Sequence, residues 1–266
     1  MLCNLHTHTN FSDGANSAEE VVLAALEQGF GSLGFSDHGV TSFDMRYCIQ
    51  DENVYRAELR RLKEKYAKEI EIYIGIEEES ASPIDRSQYD YIIGSMHYLP
   101  VGQNYYPIDA DAKQFGKLID LLGGDPMALA HGYYGALCEY LHRRKPDIVG
   151  HFDLLTKFEE TDAAVFFENE KYREAAKEYM KNAVQTGCLF EVNTGAMSRG
   201  YRSNPYPHED LLYILRENGN GIVISSDSHA AKTLSHGFEQ TRLLLKDMKF
   251  THTYVMREGK FVKEAL

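Results

Sequence analysis

Residues 1–14 read MLCNLHTHTNFSDG, and the fold question turns on how the short β-rich run Met1–His6 ends. It stops on an imidazole, with His8 two residues on and Asp13 in the loop that follows. A helix signal comes next. Ser17-Ala18-Glu19-Glu20 is a capping box, Val21, Val22, Ala25 and Leu26 supply an apolar face, and Gly29 is a stop. A strand, a ligand-bearing loop and a helix make one βα unit, and the pattern recurs along the chain. Further strands are predicted at Ser32–Asp37, Glu71–Glu77, Tyr89–Met96, Asp147–His151, Gly187–Asn193 and Gly221–Ser226. Helices are predicted at Glu52–Lys68, Asp111–Leu122, Pro126–Arg144, Ala164–Thr186 and His208–Asn218, with Pro207 at a tolerated first-turn position. Thr251–Met256, a turn at Glu258-Gly259 and Lys260–Val262 read as a terminal strand or hairpin. Such alternation implies a mainly parallel sheet, and the absence of repeats and of linkers rich in Pro, Gly and Ser favours one domain over residues 1–266.

Most of these strands end on or beside a metal-ligand type. Strand two ends at Asp37-His38, strand three at Glu77, strand four at His97, strand five at His151, and strand seven runs into Asp227 and His229. In a parallel α/β fold all C-terminal strand ends share one face, so residues from His6 to His229 converge there. Convergence on a single mouth favours a closed barrel, because an open sheet spreads its strand ends along a line. One His-x-His pair means little, since eleven histidines in 266 residues give about 0.45 such pairs by chance. Co-location at six strand ends has no such explanation. Mixed imidazoles and carboxylates suit Zn, Fe or Mn, and the candidates are too many for one ion. Bridged ions activate water and clamp the attacking and leaving oxygens of a phosphoryl group.

The stretches LHTHTNFSDG, GFSDHG, IGIEEE, DYIIGSMHYLP, DIVGHFDLLTKF, FEVNTG and ISSDSH resemble, in order, the PHP (polymerase and histidinol phosphatase) family, and within it the stand-alone histidinol-phosphatase branch. The resemblance implies a distorted seven-stranded β/α (TIM-like) barrel with three divalent metal ions, Zn, Fe or Mn. It places one ion on His6, His8, Glu77 and Asp227, a second on Glu77, His97 and His151, and a third on Asp13, His38 and His229. It implies a catalytic role for Glu77, Asp227, His229 and Asp13. The implied reaction is hydrolysis of L-histidinol phosphate to L-histidinol and phosphate, a step of histidine biosynthesis. Three divalent ions are then neutralised by three carboxylates, a hydroxide and a phosphomonoester dianion.

Around that centre, Arg199 in the loop after strand six is the expected phosphate clamp, because guanidinium matches phosphate oxygens bidentately. Arg202 and Lys157 are secondary candidates. Asp153, two residues beyond His151, is placed to orient that ligand or hold the substrate amine. His131, His142, His208, His236 and His252 are read as ordinary helix, loop or surface residues, with His131 a possible pocket wall, and Tyr105-Tyr106 and Tyr133-Tyr134 chiefly as packing.

A formal charge of −12 speaks against a nucleic-acid polymer or an anionic membrane as partner. No apolar run reaches about 18 residues, and the start lacks signal-peptide regions. Cys3, Cys48, Cys138 and Cys188 are widely spaced, as suits a cytoplasmic protein. Three rivals stand beside the main reading: a PHP phosphoesterase for nucleotides or short oligonucleotides, a metal-bound scaffold without turnover, and an amidohydrolase-type barrel. The last needs a bridging lysine where this chain has Glu77, His97 and His151. Oligomeric state leaves no mark on the sequence.

Overall fold

The capping box is formed: Glu20 N–H donates to Ser17 Oγ at 3.4 Å, and Ser17 N–H donates to Glu20 Oε2 at 2.8 Å. At the other end of that helix Gly29 takes a φ of +76°, the left-handed stop that glycine adopts without a Cβ penalty. The computed structural model describes residues 2–161 and 164–266, so the Met1 end of the first predicted strand lies outside the described residues. In chain order the elements are β1 (Leu2–Asn4), α1 (Ala18–Glu27), β2 (Phe30–Phe35), α2 (Glu52–Lys65), β3 (Glu71–Glu79), β4 (Tyr91–Ser95), β5 (Tyr98–Val101) and β6 (Asn104–Pro107). There follow α3 (Ala112–Leu121), α4 (Pro126–Arg144), β7 (Ile148–Val149), α5 (Glu170–Ala183), β8 (Leu189–Asn193), α6 (Gly195–Ser198), α7 (Glu209–Glu217), β9 (Ile222–Ser225), α8 (Phe238–Asp247), β10 (His252–Arg257) and β11 (Lys260–Ala265).

Seven parallel strands run in the order β1-β2-β3-β4-β7-β8-β9, and the two edges meet. Just beyond the strand ends His8 N–H donates to Ser228 O at 2.8 Å and Ser228 N–H to His6 O at 3.2 Å. Within the seam the buried Asn4 side chain does the pairing, donating to Ser226 Oγ at 2.6 Å and accepting from Ser226 N–H at 3.2 Å. The sheet is therefore a nearly closed barrel. Its interior is filled by side chains. Tyr91 lies across Gly34 and Gly75, where an added Cβ would stand 2.3 Å from the tyrosine, and its hydroxyl reaches the carbonyls of Leu5 and Phe35. The β10–β11 hairpin closes the end opposite the site. Thr253 Oγ1 donates to Ile222 O at 3.0 Å, and Gly259 N–H to Tyr73 Oη at 3.2 Å.

Several boundaries moved, each for a local reason. The pairing part of strand five shrinks to two residues, while strand three extends two residues past Glu77. The helix predicted from Ala164 begins at Glu170, capped by Asn169. Before it, the Glu159 carboxylate gathers the N–H groups of Val165, Phe166 and Phe167, which are thereby taken from a helix. The β5–β6 hairpin and helices α6 and α8 were not expected. His131 and His142 lie on α4, hydrogen-bonded to Tyr179 and Asn182, and Tyr133 and Tyr134 are buried in the core. No described helix is long and apolar enough to cross a membrane, and the four cysteines are free.

Candidate metal centre

Register explains why the ligand-type residues meet. Thr7 and Ser228 are bridged in parallel, so their neighbours His6, His8, Asp227 and His229 all project to the opposite face, into the mouth of the barrel. His38 and Glu77 form a second such bridge. Glu77 is the hub. Its Oε2 lies 2.9 Å from His38 Nδ1, 3.3 Å from His6 Nε2 and 3.6 Å from His8 Nε2. Its Oε1 lies 3.1 Å from His151 Nε2 and 3.5 Å from His97 Nε2. Asp227 Oδ1 is 3.3 Å from His8 Nε2 and 3.5 Å from His229 Nδ1, and Asp13 Oδ2 is 3.4 Å from His229 Nε2. Asp227 has a φ of +45°, a left-handed conformation that aspartate tolerates better than most residues. Gly195 packs so tightly against it that a Cβ there would sit 2.7 Å from Asp227 Oδ2. The Asp13 loop is pinned by Asp37, which accepts from Thr9 N–H at 2.7 Å and Ser12 Oγ at 2.6 Å.

The nine candidates form one cluster whose atoms suit cations. His6 Nε2, both nitrogens of His8, Glu77 Oε2 and His151 Nδ1 are buried without a hydrogen-bond partner. Orphans of this kind are costly unless something binds them. Many of the separations are too long for hydrogen bonds, yet two ligands each about 2.1 Å from one ion stand roughly 3–4 Å apart. Three tight sets emerge: His6, His8 and Glu77; His8, Asp13, His38 and His229; and His38, Glu77 and His97. They overlap more than the expected partition does, since His8 also joins the Asp13 set and His38 the Glu77 set.

The electrostatics agree. Burial would strip the proton from His6, yet Glu191, Glu77 and Asp227 prevail and hold its pKa well above the usual histidine value. Burial likewise lowers His97, and Glu77 and Glu79 more than reverse it, to about 10. His8 goes the other way, lowered to about 3 by burial and by His229 and His38. Burial would raise Glu77 and Asp227, but His6 and His97 around the first, and Arg199 and His6 around the second, hold both well below the carboxylate range. Buried anions here draw positive charge, as protons or as metal ions.

The PHP domain family matches residues 4–195. The chain belongs to it. Among curated relatives of this PHP chain is the "Probable histidinol-phosphatase" of Schizosaccharomyces pombe, 29% identical over 262 residues, with 91% of this chain and 84% of the relative covered. The protein of the same name from Deinococcus radiodurans is 24% identical over 261 residues, covering 93% and 94%. Among solved structures, histidinol phosphate phosphatase from Lactococcus lactis, complexed with Zn, L-histidinol and phosphate, superposes with a TM-score of 0.74 at 22% identity, covering 99% of this chain and 100% of that one.

In this PHP chain two further carboxylates, neither of them anticipated, brace the centre. Glu191 sits behind the His6 imidazole and the His151 backbone: Oε2 meets His6 Nδ1 at 2.8 Å and accepts from Ser225 Oγ at 2.6 Å, while Oε1 accepts from His151 N–H and, at 2.8 Å, Asn193 Nδ2. Glu79 Oε2 accepts from His97 N–H at 2.8 Å and meets its Nδ1 at 3.2 Å. Glu78 points to the opposite face and pairs with Arg144 at 2.6 Å. Because every contact of Glu191 brings it a proton donor, Glu191→Gln must set an amide N–H₂ against one of them. The expected result is a 10–100-fold loss of metal affinity, read by competitive chelator titration, with the fold retained. Unchanged affinity would refute the bracing role.

The pocket above the cluster holds about 480 Å³ and includes Arg199 and Lys157 in its wall. Arg199 Nη2 is 3.1 Å from Asp227 Oδ2, and its Nη1 is 3.2 Å from His229 Nδ1. Lys157 Nζ is bound to Asp109. Arg202 and Asp153 are not brought to this pocket. They are buried together, Arg202 Nη1 3.7 Å from Asp153 Oδ2 and 2.8 Å from Thr156 Oγ1, with Asp153 also accepting from His208 N–H. The pair ties the loop after β7 to the loop after β8, and neither side chain lines the pocket above the cluster.

Proposed function

We propose that this chain is a metal-dependent phosphomonoesterase that hydrolyses L-histidinol phosphate to L-histidinol and phosphate, as one catalytic unit in the cytoplasm. The observation that carries the reading is the Glu77 hub: one buried carboxylate among five imidazoles, three of them with unpaired atoms, at the floor of a pocket walled by Arg199. Relatives named histidinol-phosphatase over nearly the whole chain, and a neighbour that binds Zn, L-histidinol and phosphate, support the substrate. The pocket's size suits a small molecule, and the −12 charge disfavours a nucleic-acid polymer.

His6, His8, Glu77 and Asp227, then Glu77, His97 and His151, then Asp13, His38 and His229 would hold three divalent ions of the Zn, Fe or Mn type. Such ions lower the pKa of water and neutralise phosphoryl oxygens. The chain's own groups do the rest. Glu191 keeps a proton on His6 Nδ1 and so leaves Nε2 a free lone pair. Arg199, held in the pocket wall by its bonds to Asp227, binds phosphate oxygens and the charge that grows on them in the transition state. The P–O ester bond breaks as water oxygen bonds to phosphorus, and the departing alkoxide takes a proton. The decisive measurement is kcat/KM for histidinol phosphate beside p-nitrophenyl phosphate and mononucleotides, with metal analysis of the same preparation. Histidinol phosphate is expected to lead by about 100-fold or more. Parity with p-nitrophenyl phosphate would remove the substrate assignment, a nucleotide lead would transfer it, and a fully metallated protein without turnover would be a scaffold.

A further inference from the structure

Two pocket-lining carboxylates lie outside the nine ligand-type residues, Asp44 and Asp109. Asp44 is saturated. Its Oδ1 accepts from Arg46 N–H at 3.1 Å and Nε at 2.8 Å, and its Oδ2 from Arg46 Nη2 at 2.6 Å and Tyr98 Oη at 2.8 Å. Asp109 is not. Its Oδ2 meets Lys157 Nζ at 3.2 Å, but that ammonium is held more closely by the Asp109 carbonyl, at 2.6 Å. Its Oδ1 accepts no hydrogen bond among the described residues, although the side chain is only 27% exposed. Asp109 is thus a partly buried anion with one oxygen open to the pocket, able to accept a charge-assisted hydrogen bond from a cation bound there.

The backbone aims it at the reacting end of the pocket. Ile108 N–H donates to His97 O at 2.9 Å, so Asp109 follows directly on a residue tied to a ligand-type histidine. Lys157 reaches Asp109 from the loop that leaves His151. In histidinol phosphate the ammonium stands on the carbon next to the phosphoester carbon, so a group that reads it must lie close to the phosphate. Of the two pocket carboxylates outside the nine, Asp109 is the unsaturated one among the described residues. On the reading of the substrate given above, we propose that Asp109 is the specificity residue for the substrate ammonium, its Oδ1 accepting the ammonium hydrogen bond. Lys157 positions the carboxylate and keeps it ionised, and is not a free phosphate ligand.

The test compares two substrates differing only in the amine, histidinol phosphate and 3-(imidazol-4-yl)propyl phosphate. The ratio of their kcat/KM values is measured in the wild type, in Asp109→Asn and Asp109→Ala, and in Lys157→Met. A charge-assisted hydrogen bond predicts a wild-type ratio of about 30 or more, falling below about 3 in both Asp109 variants, chiefly through KM. In Lys157→Met the ratio stays above about 10. A ratio unaltered in the Asp109 variants, or a Lys157→Met ratio that collapses as far as theirs, overturns the assignment. A wild type that hydrolyses histidinol phosphate no better than p-nitrophenyl phosphate removes the parent reading and this one with it. The two failures are separate, because the second shows before any variant is made.

Discussion

Glu77→Gln is expected to lower kcat/KM by about a thousandfold or more, roughly 4 kcal/mol of transition-state stabilisation, and to lose at least one metal ion per chain. The substitution is nearly isosteric, so the barrel persists and the loss reports charge and donor type. Glu77 stands 2.9 Å from His38 and within 3.6 Å of His6, His8, His97 and His151. An amide there carries no charge and turns N–H₂ toward imidazole nitrogens whose lone pairs must face a metal. Elemental analysis and steady-state kinetics on one preparation check both halves. Glu78→Gln is the control, because the neighbouring side chain points away from the mouth, to Arg144 and Tyr140. It is expected to keep its metal and to lose thermal stability, as breaking a buried ion pair does. A Glu77→Gln protein with full activity would refute the hub.

Arg199→Met should cost about 10²–10³-fold in kcat/KM while leaving the metal content intact. Its guanidinium is fixed before any substrate arrives, by Asp227 O at 3.1 Å and Asp227 Oδ2 at 3.1 Å, and Gly195 leaves it the space. Methionine fills a similar volume without donors, so the transition state loses an oriented pair of N–H groups while the packing is kept. Lysine should rescue part of the loss, since it restores the charge but not the fork. Metal lost in step with activity would mean that Arg199 serves Asp227 and not the phosphate.

The site was legible where chain geometry is local. His6 and His8 are two residues apart around the bridged Thr7, so alternation puts that pair on one face, whereas Asp227 reaches the same mouth from a left-handed backbone. The same rule failed at Asp153. It was expected to point the way His151 points, but Asp153 has φ −108° and ψ +38° and the chain turns at once into a 3₁₀ segment. The alternation ends with the strand, and the carboxylate goes to the buried Arg202 outside the pocket. Glu191 and Glu79 were passed over for another reason. A glutamate inside a strand looks like any other until the strand beside it is known, and their partners, His6 and His97, come from other parts of the chain.

The amino-acid order alone therefore determined the class of fold and the ligand types, because strand and helix periods and the residue that ends each run are properties of neighbouring positions. Folding in three dimensions decided the rest: that Asn4 and Ser226 draw the barrel shut, which imidazoles share Glu77, and that Asp109 keeps one oxygen free. Those are pairings between distant segments, set by strand register and by the burial of charge. No local pattern encodes them.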